Sequence, residues 1–238
     1  MPRTSNRWEK LPGNFDTLHA TQLFSSDNQW GIPAMQHTPV DCVPDWIVPY
    51  RQQVRTNRDL SRGAVHFFLD DYRFEGVWHR PNRAIKGLRK FKTLFTPDFS
   101  LYRDWPIMLQ MWNTYRSRWV GCFWQAHGFT VIPTVSWSSA DSYAFCFAGI
   151  PKRGLVAVSS LGVKMGDPIE YSLFVAGFQM MVQQLQPTMV LSCGQLPEPC
   201  CSMVEVFIYP TIWKSIRFAV TNGIKDVERI QEAYGRTG

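Results

Sequence analysis

Three aspartates stand where two apolar runs end. Asp70 and Asp71 follow the run at residues 64–69, and Asp98 follows the run at residues 92–96. Two carboxylates from neighbouring strand ends can serve as general acid and base, as nucleophile and acid, or as oxygen ligands for a divalent cation. A single Asp in such a place often caps the next helix or turns the chain. Three of them at two ends weaken that explanation without choosing a reaction. Hydroxyls and one aromatic follow the same rule: Ser100 comes after the second run, Ser136 and Trp137 after a third at 129–135, and Ser159 closes a fourth at 155–159. Ser136, Ser159 and Ser100 can hydrogen-bond a substrate, and Trp137 can stack a base or sugar or simply be buried. Asn113 and Arg116, at i and i+3 with Gln110 one step earlier, can grip a phosphate or base edge. Alternatively they form a solvent-facing stripe.

The elements that must place these residues are legible as alternation. Apolar, β-branched runs at 64–69, 92–96, 129–135, 155–159 and 188–192 are nearly continuous, as expected for strands buried on both faces of a parallel sheet. A sixth run at 204–209 reads as an edge strand. Helical patterns lie between them, at 81–91, from Asp104 and Pro106 onward, at 170–186 and at 225–234. Met108, Met111, Trp112, Tyr115, Trp119 and Phe123 follow helical spacing and read as a core stripe. This predicts an α/β fold with a mostly parallel sheet of five to six strands and crossover helices, either open or an incomplete, distorted barrel. Residues 1–60, punctuated by Pro12, Pro33, Pro39, Pro44 and Pro49, read as an irregular lead-in packed on an α/β domain at 61–238. In parallel α/β folds ligands bind beyond the carboxyl ends of the strands, which is where the aspartates fall.

With 238 residues, 45% hydrophobic and 14% aromatic, the chain can bury roughly 70–75% of its unfolded surface. Disorder as the main state is excluded. The longest strongly apolar stretch, near 172–182, is broken by Gly177 and Gln179 and falls short of the ~20 residues of a membrane helix. No membrane partner is expected. The opening residues carry no apolar signal core, so a cytoplasmic location is expected. The net charge of +6 is local: residues 51–92 hold 11 Lys and Arg against 4 Asp and Glu, and the rest hold 14 against 15. Within that segment Arg80, Arg83, Lys86, Arg89 and Lys90 form a candidate nucleic-acid patch, with a solvated helix face as the other reading.

Absent motifs narrow the field further. There is no phosphate loop of the Walker type, no Gly-x-Gly-x-x-Gly, no Gly-x-Ser-x-Gly elbow and no zinc-deaminase signature. His66 reads as a packed core histidine, and the six cysteines read as free thiols, with a redox or metal role for Cys193, Cys200 and Cys201 as the alternative. No cofactor is required; a divalent cation at the aspartates is compatible with their chemistry.

The blocks at 65–75, 97–102, 110–116 and 132–137, continuing through 145–151 and 156–159, resemble an uncharacterised domain family of bacteria, phages and mobile elements, domain of unknown function 4417. The resemblance implies a phage or mobile-element setting. The residues themselves favour an enzyme acting on a nucleotide or nucleic acid through Asp70, Asp71 and Asp98, by glycosidic-bond transfer or hydrolysis. The alternatives are a metal-dependent phosphodiester hydrolase using the same aspartates and a non-catalytic nucleic-acid-binding or host-interaction protein using residues 51–92.

Overall fold

In the computed structural model, which describes residues 16–51 and 59–210, the strands lie side by side in the order in which they occur in the chain. β1 (Trp46–Pro49), β2 (Gly63–His66), β3 (Thr93–Phe95) and β4 (Thr130–Ile132) form one sheet; β5 (Leu155–Ser159), β6 (Met189–Cys193) and β7 (Val206–Tyr209) form a second. Every neighbouring pair within a sheet is parallel. One parallel bridge, Thr134 to Ala157, stitches the two sheets together just beyond β4. Parallel neighbours need long crossovers, and these carry α1 (Gly76–His79), α2 (Pro81–Leu88), α3 (Ile107–Ala126), α4 (Pro168–Leu185) and α5 (Glu198–Cys201).

Period-two alternation explains how the two sheets share one interior. Val65, Leu94 and Val131 point outward into a core beneath α1, α2 and α3, together with Trp78, Leu88, Trp119 and Phe123. Val156, Val158 and Val190 do the same under α4, with Phe174, Phe178 and Met181. The residues of opposite parity, Ile47, Ala64, Phe95, Ile132, Ala157, Leu191 and Tyr209, come from all seven strands and form a third, central cluster. The array is therefore an incomplete barrel. No ladder joins β7 to β1 among the described residues. The gap is spanned by the Tyr209 hydroxyl, which donates to the Pro44 carbonyl at 2.5 Å.

The structure departs from expectation at several points. Trp46–Pro49, expected within an irregular lead-in, is strand β1. Its flanking prolines masked it, yet Pro is tolerated at a strand end, and β1 has a ladder partner on one side only. Helix α3 starts at Ile107 with Pro106 in the capping position, and Asp104 takes no part in its cap. Met108, expected in the core, is 67% exposed because it lies in the first turn. The helical pattern at 225–234 lies outside the described residues.

Helix α3 also inverts the usual rule for amphipathic helices. Gln110, Asn113, Thr114, Arg116, Ser117 and Arg118 are buried along with its aromatics. Most of the cost of burying them is met by hydrogen bonds, Arg116 Nε being the one side-chain nitrogen of this set left without a partner. Arg118 donates to the carbonyls of Thr134, Cys146 and Ala148 at 3.1, 2.9 and 3.2 Å, and Ser117 donates to the Pro97 carbonyl at 2.8 Å. Thr134 and Pro97 lie two residues beyond β4 and β3, so this face of α3 grips the sheet where the two halves meet.

If the Tyr209 hydroxyl ties the open edges together, Tyr209→Phe should cost about 1 kcal/mol in urea unfolding. It should also raise amide exchange in β1 and β7 above that in β5 and β6.

Candidate functional site

The carboxyl ends of β2 to β6 place the candidate residues on one rim. Asp71 opens a short 3-10 turn, Asp71–Arg73, after β2. Asp98 follows β3, Ser136 follows β4, and Ser159 and Cys193 are the last residues of β5 and β6. Beyond β4, Thr134 bridges to Ala157, and the Ser136 side chain hydrogen-bonds Asp98.

Asp98 is the most perturbed acid. Burial pushes its carboxyl up to about 7, the nearby Asp71 charge adds to this, and the Ser136 hydroxyl and the Arg118 guanidinium pull the other way. Its chain neighbours Thr96, Pro97 and Phe99 are buried, which explains the weight of desolvation. Cys193 is close enough to feel the Asp98 charge, and burial with that charge drives its thiol up to about 12. It is therefore a neutral wall of the site at ordinary pH. His66, also inward-facing, is held neutral by burial, down to about 3, as expected of a packed core histidine.

Asp71 is half-buried and its carboxyl is also raised, first by desolvation and then by Glu75, while Ser100 and Arg116 act against the rise. Ser100 donates its backbone N–H to Asp71 Oδ2 at 3.1 Å and its hydroxyl to Oδ1 at 2.8 Å. Asn113 Nδ2 donates to the Ser100 carbonyl at 2.7 Å, and Arg116 Nη2 donates to Asn113 Oδ1 at 2.6 Å. Arg116 Nη1 meets both Glu75 oxygens at 2.9 Å. Its guanidinium lies 3.9 Å above the Phe99 ring, a cation–π contact. Ser100, Asn113 and Arg116 thus form a support behind Asp71 rather than a solvent-facing stripe. Ser159 is engaged as well, donating to the Cys193 carbonyl and accepting from the Leu161 N–H.

Asp70 is set apart from its two partners. Its side chain is 69% exposed and pairs with Arg73 at 3.4 Å. The pair that shares an electrostatic environment is Asp71 with Asp98.

Trp137 stands on the outer side of the same rim. Its ring packs on Phe174 with centroids 5.4 Å apart. A Cβ on Gly177 would come within 2.1 Å of its Nε1, so α4 admits the indole only because residue 177 has no side chain. Trp137, Leu101, Tyr102, Arg103, Glu170 and Phe174 line a cavity of about 400 Å³. Arg103 and Glu170 pair across it at 3.4 Å. Leu101 adjoins Ser100 and Trp137 adjoins Ser136, so the cavity borders the carboxyl pair in the chain.

A larger cavity, about 760 Å³, lies elsewhere and includes none of the three aspartates. Arg80, Arg83 and Lys90 line it, while Lys86 and Arg89 are exposed nearby on and after α2. Glu75 and Arg118 were not singled out by sequence reasoning. Glu75 sits among residues of a basic segment, and Arg118 falls on a helix whose apolar stripe drew attention away from its polar face. Among the described residues, no group of three His, Cys, Asp or Glu side chains is placed to hold a metal ion. No helix of the described residues is long and apolar enough to cross a membrane.

A family model described as "Domain of unknown function (DUF4417)" matches residues 24–210. The chain is 40% identical over 224 residues to the "Gene 1 protein" of Mycobacterium phage L5, spanning 92% of this chain and 95% of that one. It is also 40% identical over 226 residues to the "Gene 1 protein" of Mycobacterium phage D29, spanning 92% and 81%. No solved structure matches.

Because the folded chain keeps a proton on Asp98 up to about 7, while an ordinary Asp releases it at 3.8, the folded state binds more protons between those values. Stability therefore falls as pH rises through that window. Asp98→Asn should remove this loss, raising Tm by a few degrees at about pH 8 and leaving it unchanged at about pH 4, as read by calorimetry.

Proposed function

The chain belongs to the DUF4417 family, and from that premise we propose that it is an enzyme breaking or transferring the glycosidic bond of a nucleotide or nucleic acid. Asp98 is the general acid that protonates the departing base. Asp71 is the carboxylate that stabilises the sugar cation or attacks it. The observation that carries this reading is the inequality of two neighbouring carboxyls: Asp98 is pushed up to about 7, while at Asp71 the rise caused by burial is opposed by two hydrogen bonds from Ser100 and by Arg116. Glycosidic cleavage needs such a pair, one proton donor and one anion. Ser136 steadies Asp98. Trp137 offers a face on which a base can stack, beside Arg103 for a phosphate oxygen.

A metal-dependent phosphodiester hydrolase would draw on the same aspartates. The glycosidic reading is preferred because it needs one proton donor and one anion, the two roles that Asp98 and Asp71 fit.

The test is release of free base from nucleosides, nucleotides and single-stranded DNA or RNA, followed by chromatography with mass detection. Base release should survive EDTA. Asp98→Asn and Asp71→Asn should each lower kcat by about 10²–10⁴-fold, and Asp70→Asn should change it little. The rate should fall as pH rises through about 7, where Asp98 loses its proton, and fall again in acid as Asp71 is neutralised. Cleaved phosphodiesters without free base, abolished by EDTA, would overturn the reading, as would no turnover of any of these substrates.

A further inference from the structure

The larger cavity lies on the outer flank of the incomplete barrel, away from the carboxyl rim. Its floor is apolar: Val48 of β1, Val65 of β2, and Ala84, Leu88 and Phe91 from α2 and the residues after it. These residues are buried and packed together in the core under α1 to α3, and the cavity opens at the edge of that packing, beside the end of β1. The volume, about 760 Å³, accommodates several leucine-sized side chains.

Its edge is cationic. Arg80, Arg83 and Lys90 line it at spacings of three and seven residues, with Gly87 between the last two; Arg83 lies within α2, Arg80 immediately before its first residue and Lys90 two residues after its last. Arg51 and His79, the latter 3.5 Å from Glu75, stand at the same cavity, and no Asp or Glu lines it among the described residues. Arg80, Arg83 and Lys90 make no ion pair with any described residue. A Cβ on Gly87 would meet nothing within 4 Å, leaving a gap between Arg83 and Lys90. An apolar trough beside a set of unpaired cations matches one kind of guest: a helix with leucine-like residues on one face and carboxylates along the edge of that face.

We propose that this groove docks an acidic amphipathic helix of a partner protein. The remaining stretches of this chain do not supply the charge. Residues 1–15 hold three Lys and Arg against one Glu, 52–58 hold two Arg and no acid, and 211–238 hold five Lys and Arg against three Asp and Glu. A nucleic-acid strand matches the cations but not the floor, since its outer edge is phosphate. The groove's two aromatic lining residues offer no stacking platform: Phe91 is buried and Tyr50 lies half-buried against Phe67. The docking mode is the familiar helix in a groove, anchored at i, i+3, i+4 and i+7.

The probe is a fluorescent helical peptide of about 18 residues with Leu at those positions and Glu at most others, added to the full chain in anisotropy measurements. Two comparison probes accompany it: the same Leu pattern with Lys for Glu, and single-stranded and duplex DNA. The acidic peptide should bind with one-to-one stoichiometry and the Lys peptide at least tenfold more weakly. Arg80→Glu with Arg83→Glu, both exposed positions, should weaken the acidic peptide at least tenfold, and Gly87→Phe should block it by filling the gap, with circular dichroism unchanged in both variants. Asp98→Asn should bind as the parent does, which separates this surface from the carboxyl site. Equal binding of both peptides, no binding of the acidic one, or DNA that displaces it and loses affinity in the double charge reversal would overturn the proposal.

Discussion

The arrangement turns on a buried guanidinium. Arg118 reaches from α3 to the carbonyl of Thr134, the residue that also forms the one bridge between the two sheets among the described residues. It reaches further to the carbonyls of Cys146 and Ala148, in the connection that leads to β5. Among the described residues the seam carries two backbone bonds, Val135 N–H to the Ala157 carbonyl and Ala157 N–H to the Pro133 carbonyl, so other buried carbonyls at it and in the connection beyond need another donor. One planar side chain supplies donors for three of them. Burial in turn lowers the Arg118 pKa to about 10, still high enough to keep its charge at neutral pH. The same charge lies near Asp98, whose carboxyl it holds below the value burial alone would give. One residue therefore both braces the seam and lowers a pKa that burial first sets.

Much of this was legible in the sequence, for identifiable reasons. Strands buried on both faces leave continuous apolar runs, so β2 to β6 stood out, β7 showed as an edge run, and the polar residues after β2 to β6 lie at their carboxyl ends. β1 was hidden because Pro44 and Pro49 bracket only three other strand residues, and that length carries no periodicity. The polar face of α3 was misleading in the opposite sense. Pattern reading assumes that polar means outward, and Asn113, Arg116 and Arg118 break the assumption by satisfying one another and nearby carbonyls. Nor could spacing distinguish Asp70 from Asp71. Adjacent residues leave a turn in different directions, and only the fold shows that one meets Ser100 while the other meets solvent and Arg73.

Charge shows the same division. The basic excess of residues 51–92 and the aspartates that interrupt it are neighbours in the chain, which invites a single anionic ligand bound beside the acids. The fold separates them. The acids turn onto the rim, and α2 carries its cations along the outer flank. Glu75 belongs to the first group, since its carboxylate is taken by Arg116. Two chemically different surfaces arise from one stretch of sequence, so evidence about one is not evidence about the other.

Strand order that follows chain order also bears on how the molecule is made. Each ladder joins segments adjacent in synthesis, so successive strands can add to a growing edge as the chain emerges. Every residue of the carboxyl rim precedes residue 194 and can be in place by then. The contact between Tyr209 and Pro44 is different, because it spans 165 residues and must wait for the last strand. Closure is thus a late event laid over an already assembled rim, and a chain truncated before β7 would keep the parts of the site while losing the fastener between its first and last strands.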